Sequence, residues 1–319
     1  MSNDASSTDR ESPDLGNGPE RAASLSLDEA LSIVGEPTRA TIVLELGEAR
    51  SADPATSDAL TFTELMERTG VEDSGRFNYH LDKLVGTFVE KGDDGYGLSL
   101  PGQMLHQAFV AGTLTDRLAV DPFPVGDCPE CEGRLAASYR PDHVLIVECE
   151  GRERLFDAAH FPTRGVEVRS QSELLDAVYR RRHHKIAVMR RGVCHGCGGR
   201  IERRLGHNES VADSCGGDPL SCLESYAVLA CEECATSLAG HPANVAVTAP
   251  EVVGFFAEHG REAARSRWWN DPIAAARESI EVVGTDPVSV AVPYEIDGEQ
   301  LRVVLDDRLQ VVQTERSVV

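Results

Sequence analysis

Two short motifs limit what this chain can fold into: CHGC at Cys194 and Cys197, and CEEC at Cys231 and Cys234, separated by 33 residues. A Cys-x-x-Cys knuckle turns sharply enough to present two thiolates to one ion, and two knuckles complete the tetrahedral sulfur shell of a closed structural zinc site. Gly198 and Gly199 follow the first knuckle and allow backbone N–H groups to approach the sulfurs. The spacing predicts a four-cysteine zinc ribbon over residues 192–240, structural and not catalytic because no position is left for water. A pair of redox dithiols is the competing reading of the same residues.

A second, incomplete motif lies upstream. CPEC, with Cys128 and Cys131, opens a similar ribbon over residues 128–165, but its partner Cys149 sits in CEGRERL, where Arg152 stands at the place of a second cysteine. Two readings follow: a three-sulfur site completed by His143 or His160, or a ribbon-like hairpin that has lost its metal, which the arginine favours. Cys215 and Cys222 flank GGDPLS in an apparent insertion between the knuckles and are expected to be spare or buried thiols. The nine cysteines argue for metal before disulfides only in a reducing compartment. The first 24 residues have no apolar h-region and no apolar run approaches the ~18 residues of a membrane span, so a cytoplasmic location is expected.

The expected fold is α+β. Residues 1–24 read as a disordered acidic tail, 25–116 as a helical domain with one hairpin, and 117–127, which contain DPFPVGD, as a linker. Residues 128–319 read as a ribbon-bearing domain. Within it, a helix over 171–189 carries a Ser170–Glu173 capping box, and a helix followed by an antiparallel sheet occupies 249–315, with turns at DG and DD.

In the N-terminal part, LDEALSIVGEPTRATIVLELGEA is broken at Pro37 into two short helices, and TFTELMERTG runs from an N-cap at Thr61 to Gly70. The helix in DSGRFNYHLDKLV buries Phe77, Leu81 and Leu84, and presents Ser74, Arg76, Asn78, Tyr79 and Lys83 on its other side. These are donors and flat side chains suited to base edges and phosphates in a major groove. FVEKGDDGYGLS, with Lys91, then forms a hairpin around Asp94-Gly95. His80, at the border of the two faces, is expected to pack or to meet a phosphate.

GEPTRATIVLEL and FNYHLDKL…FVEKGDDGYGLS resemble the first helix, recognition helix and wing of ArsR-like winged helix-turn-helix transcription regulators. The resemblance covers roughly residues 25–115. It implies double-stranded DNA as a partner and a homodimer that pairs through flanking helices, a role that suits PGQMLHQAFVAGTL (Pro101–Leu114). The helix TFTELMERTG has no cysteine, so the thiolate metal-sensing site of some family members does not carry over. GVCHGCGGRIERRL, HPANVAVTAPEVVGFFAEHG and DGEQLRVVLDDRLQVV are similar to the zinc-ribbon-bearing domain appended to haloarchaeal regulators of this type, a domain of no settled function.

The charge sets a condition on any DNA reading. The formal net charge is −22, with 53 acidic residues against 28 arginines and only three lysines. A low-lysine, carboxylate-rich surface suits concentrated salt and predicts an origin in a halophilic archaeon. At 1 M ionic strength the Debye length is ~3 Å, which nearly erases repulsion between this surface and DNA beyond contact. Residues 177–208 run against the trend, with nine Arg or Lys and one acid. They read either as a second phosphate-contacting surface or as arginines paired with the protein's own carboxylates.

No zinc-hydrolase, deaminase, phosphate-loop or nucleophile-elbow motif is present, so no enzyme is expected. The expected function is transcription regulation by sequence-specific DNA binding, with zinc as a structural cofactor. The alternative is a zinc-ribbon interaction scaffold on the transcription machinery. Trp268 and Trp269 either line an effector pocket with Phe255 and Phe256 or anchor a loop.

Overall fold

The computed structural model describes residues 25–52, 59–129, 131–151, 154–208, 223–270 and 272–319. The expected tail and the thiols Cys215 and Cys222 lie outside them. The chain divides into two compact units, Met1–Val110 and Ala111–Val319. No helix among the described residues is long and apolar enough to cross a membrane.

The first unit contains α1 (Leu27–Val34), α2 (Pro37–Ala52), α3 (Phe62–Thr69), α4 (Ser74–Leu84), the hairpin β1 (Val89–Gly92) and β2 (Gly95–Leu98), and α5 (Leu100–Val110). Reciprocal capping boxes start α1 at Ser26–Glu29 and α3 at Thr61–Glu64, each satisfying two orphan backbone donors. Gly70 ends α3 in the left-handed conformation. Ile42, Val43 and Leu46 of α2 bury themselves against Leu65, Phe77, Leu81, Leu84 and Val89. Gly47 lets α5 approach α2, since a Cβ there would overlap the His106 ring.

The hairpin turn falls one residue earlier than expected. Gly92 pairs with Gly95, so Asp93 and Asp94 form the turn and Gly95 opens β2. Its φ is 135°, and a Cβ would collide with the Leu60 carbonyl, because Leu60 and Tyr96 exchange backbone hydrogen bonds of 2.9 and 2.8 Å.

The second unit begins with an antiparallel sheet in the order β3 (Val120–Asp127), β4 (Arg134–Arg140), β5 (Val144–Cys149), β6 (Arg154–His160). Residues 120–127, expected as linker, are therefore an edge strand. Pro122 and Pro124 are tolerated because an edge leaves backbone N–H groups unpaired, and the ladder shifts register twice there while Phe123 enters the core. After α6 (Thr163–Glu167) comes α7 (Gln171–Arg190), capped by Ser170 and Glu173.

A three-stranded sheet follows, β7 (Ile201–His207), β8 (Ser225–Cys231) and β9 (Ser237–Gly240), then α8 (Pro242–Ala246), α9 (Pro250–Glu258) and α10 (Ile273–Glu278). Last is the antiparallel sheet β10 (Glu281–Thr285), β11 (Val288–Ile296), β12 (Glu299–Leu305), β13 (Val311–Val318). Asp297 and Gly298, at φ 52° and 83°, supply the two left-handed residues of its central two-residue turn. The mixed α+β class and the antiparallel C-terminal sheet agree with expectation.

Helix α7 serves two cores. Leu174, Leu175, Val178 and Tyr179 pack on the first sheet with Phe123, Tyr139 and Val147. Ile186 and Met189 join Leu229, Val252, Phe255, Phe256, Tyr294 and Val303. One rigid helix thereby links the two cysteine-bearing sheets.

Candidate metal centre and exposed helix

Cys194 and Cys197 lie in the loop between α7 and β7, Cys231 ends β8, and Cys234 lies in the turn to β9. Their four Sγ atoms fall within 4.8 Å of one another, with Cys194 to Cys234 at 3.7 Å and Cys197 to Cys231 at 3.5 Å. Tetrahedral zinc with bonds of about 2.3 Å places its sulfurs about 3.8 Å apart, so the donor set fits such an ion. Each knuckle is closed by its own backbone: Cys194 N–H donates to the Gly199 carbonyl and Cys231 N–H to that of Thr236, both at 2.8 Å. Gly198 and Ala235, each directly after the second cysteine of its knuckle, have φ of 75° and 57°.

Hydrogen bonds polarise the sulfurs. Gly196, Gly199 and Glu233 donate backbone N–H groups to Cys194, Cys197 and Cys231 at 3.3–3.4 Å, and Thr236 Oγ1 lies 3.1 Å from Cys234 Sγ. The N–H groups of Cys197 and Gly196 bring the Cys194 thiol down to about 6. At Cys197 the Gly199 N–H also favours the thiolate, but Cys234 and Cys231 beside it outweigh that bond and push the thiol up to about 12. Four sulfurs this close ionise together only when a cation compensates them. Thr236 was not singled out by the spacing, although its place two residues after the knuckle is the counterpart of Gly199.

The upstream motif repeats this geometry. Cys128 N–H donates to the Gly133 carbonyl at 2.9 Å, and Gly133 N–H to Cys131 Sγ at 3.3 Å. Cys149 stands opposite Leu135 on β4 as Cys231 stands opposite Ile201 on β7. The Cys131 to Cys149 distance is 3.5 Å, and all three sulfurs lie within 4.8 Å of one another. His143 and His160 do not join them. They sit at the far end of the hairpin, where His143 is paired across to the residue after β6 and its Nδ1 lies 2.9 Å from Thr163 Oγ1. Six residues of strand separate His143 from Cys149, roughly 20 Å. Arg152 lies outside the described residues.

In the first unit, Asp73 caps α4 by accepting the Arg76 N–H at 2.8 Å. Phe77, His80, Leu81 and Leu84 are buried, whereas Ser74, Arg76, Asn78, Tyr79 and Lys83 are exposed, as is Lys91 on β1. Tyr79 is 58% exposed, with Lys83 Nζ 5.7 Å from its ring centre. Asn78 donates to Asp82 at 2.8 Å, which puts one carboxylate on the same face. His80 packs inward, its Nδ1 3.2 Å from Glu36.

The basic island divides. Arg180 makes a two-pronged pair with Glu262 at 2.7 and 2.8 Å, and Arg182 pairs with Asp157, which also accepts the Tyr179 hydroxyl at 2.6 Å. Arg203 donates to the Arg190 carbonyl. Arg181 and Lys185, one turn apart on α7, have no carboxylate within ion-pair distance among the described residues. Burial lowers the pKa of His160, and the nearby charges of Lys185, His143 and Arg181 lower it further.

The tryptophans anchor. Trp269 meets Tyr179 edge-on, and Trp268 stacks on Phe156 beneath Arg277, 4.3 Å away. Phe255 and Phe256 are fully buried, against His259 and Tyr294, so of the two readings of the tryptophans the anchoring one fits and a pocket lined by all four aromatics does not.

Comparison with curated proteins and with solved structures gives no match. A family described as Domain of unknown function (DUF7347) matches residues 27–109, the helices and hairpin of the first unit. Another, described as Domain of unknown function (DUF7351), matches residues 125–311, from the first cysteine-bearing sheet into the last strand. That match spans more than half of the 319 residues, and the chain belongs to the DUF7351 family.

Proposed function

We propose that this protein is a sequence-specific DNA-binding transcription regulator whose C-terminal unit is held together by a structural zinc ion. The observation that carries the reading is α4. One face is locked into the core by Phe77, Leu81 and Leu84, while Ser74, Arg76, Asn78, Tyr79 and Lys83 are exposed on the other, followed at once by a hairpin bearing Lys91. A rigid helix with exposed donors and a flanking hairpin is the arrangement by which a winged helix reads the major groove and touches the adjacent backbone. The order of elements in α1 to β2 is similar to that of the ArsR-like winged helix-turn-helix regulators.

A homodimer belongs to this reading. Leu27 and Leu31 on α1, and Leu100, Met104 and Val110 on α5, are exposed apolar side chains on the helices that flank the reading unit. The four sulfurs at Cys194, Cys197, Cys231 and Cys234 suit zinc by donor type and spacing, with a structural role. Of the basic island, Arg180 and Arg182 are paired internally and Arg190 is buried, so a second phosphate contact falls to the exposed Arg181, Arg191, Arg200 and Arg204 and the half-buried Lys185.

The test is enrichment of fragmented genomic DNA in molar KCl, comparing the full chain with an Arg76→Ala, Tyr79→Ala double variant. Discrete fragments retained by the first and lost by the second are expected. Equal recovery by both proteins would remove α4 from recognition, and no recovery by either would favour an interaction scaffold.

A further inference from the structure

Helix α7 divides the charges around it. Asp157 is taken by Arg182, Glu262 by Arg180, and the helix's own Asp176 by Arg265 and Arg267. Arg181 and Lys185, one turn apart on the same helix, are left without a carboxylate among the described residues. Two imidazoles join them from other segments. His160 closes β6 opposite Val144, and His195 lies in the knuckle loop after α7. The charges of Lys185 and Arg181 act on both rings, and that of Arg181 acts on Lys185. Among the described residues no carboxylate acts on His160, Lys185 or His195. His143, with its ring 6.4 Å from that of His160, is engaged by Thr163. Arg181, His160 and His195 are exposed and Lys185 is half-buried. A partly desolvated ammonium beside a guanidinium is unfavourable without a counter-charge, and this chain has 53 acidic residues from which to supply one.

We propose that Arg181, Lys185, His160 and His195 form a binding site for the phosphate dianion of a small soluble phosphomonoester. Arg181 and Lys185 carry two permanent positive charges, which match a phosphomonoester near neutral pH; a carboxylate, a chloride or a duplex phosphodiester brings one negative charge. The donors match as well. A guanidinium fork, an ammonium and two ring N–H groups converge from three chain segments on the three terminal oxygens of one phosphate. Such contacts are short enough to survive a Debye length of ~3 Å in molar salt. The site takes two of the cations left for a second DNA contact, and it is independent of the reading of α4.

The test follows the phosphorus resonance of phenyl phosphate during titration of the full, zinc-loaded chain in molar potassium acetate near neutral pH, where acetate competes as a carboxylate and chloride is absent. One equivalent should bind. Arg181→Ala and Lys185→Ala should each weaken it roughly tenfold or more, the worth of one charge-assisted hydrogen bond, with circular dichroism unchanged. Arg308→Ala removes the same charge from an exposed turn between β12 and β13 and should leave affinity within about twofold, because screening confines its effect. Bound dianion offsets the neighbouring cations, so the His160 ring should titrate at higher pH than in the free chain. Diphenyl phosphate, a monoanion, should bind at least about tenfold more weakly. Equal binding of diphenyl phosphate would indicate a single-charge contact of the kind a duplex backbone offers, and displacement by millimolar KCl would indicate a chloride site. Either result would overturn the proposal. So would unchanged affinity in both alanine variants, or no binding by the full chain.

Discussion

Ala235 holds a left-handed conformation, φ 57°, at the place where Gly198 holds φ 75° in the first knuckle. Knuckle geometry demands that backbone at both places, but only glycine adopts it without steric cost, which for other residues is roughly 1–2 kcal/mol. Ala235→Gly relieves this cost and gives back part of it in unfolded-chain entropy, for a net gain of about 0.5–1 kcal/mol. Gly198→Ala should lose about 1 kcal/mol. Thermal melting should show the two variants moving in opposite directions, by roughly 2–4 °C per kcal/mol in a unit of this size.

A second residue governs acid stability. His241 is buried at the start of α8, where its Nδ1 accepts the Ala243 N–H at 3.2 Å. Burial, with the Arg277 charge beside it, brings its pKa down to about 3. The unfolded chain takes up this proton near pH ~6.5 and the folded chain does not. The contribution is therefore complete above about 6.5 and is lost as pH falls toward about 3, on the order of 1.4 kcal/mol per pH unit. His241→Asn keeps an acceptor for the cap and does not titrate. Its melting temperature should fall less steeply than that of the parent between about pH 6.5 and 5. Loss of metal in acid acts on both proteins and cancels in the comparison.

At the scale of elements, α4 and α5 carry separable roles in the proposed regulator. Arg76→Ala leaves the buried face of α4 untouched and should lower discrimination between a selected operator and random duplex by roughly 1–3 kcal/mol, the value of one good base contact. Competition binding in KCl measures it, and unchanged selectivity would remove Arg76 from the reading face. On α5, Phe109 packs against the unit's own core, so a polar change there tests folding; Met104, 63% exposed, tests association. Met104→Glu should shift sedimentation toward monomer with the helical signal unchanged.

These elements were legible to different degrees. Capping boxes at Thr61 and Ser170 and the break at Pro37 act within a few residues, and the helices begin where those local bonds dictate. The cysteine spacing located the four-sulfur group because the knuckle is closed by backbone within five residues. Strand β3 was hidden because its prolines read as linker, and only its neighbour β4 makes an edge strand of it. Likewise the carbonyl of Leu60, remote in sequence, placed Gly95 in the strand and moved the turn to Asp93 and Asp94. The division of the basic island depended on Glu262 and Asp157, which no local pattern announces.

At the scale of the whole molecule, the two units should answer to different variables. All the cysteines among the described residues, and both tryptophans, lie in Ala111–Val319, whereas Met1–Val110 is built on the core around Phe77 with no sulfur ligand. Structural zinc contributes roughly 10 kcal/mol or more in small zinc-binding domains, comparable with the ~5–15 kcal/mol net stability of a whole domain. A chelator should therefore collapse the tryptophan fluorescence transition to low temperature while the α-helical transition of the first unit persists in circular dichroism. Salt acts otherwise: raising KCl from 0.1 to 1 M shortens the Debye length from ~10 to ~3 Å and relieves the self-repulsion of a chain carrying −22. KCl should raise both transitions, with or without chelator. If the chelator left the tryptophan transition in place while cobalt or zinc analysis showed the metal gone, the sulfur clusters would be passengers on a fold held by its apolar cores alone.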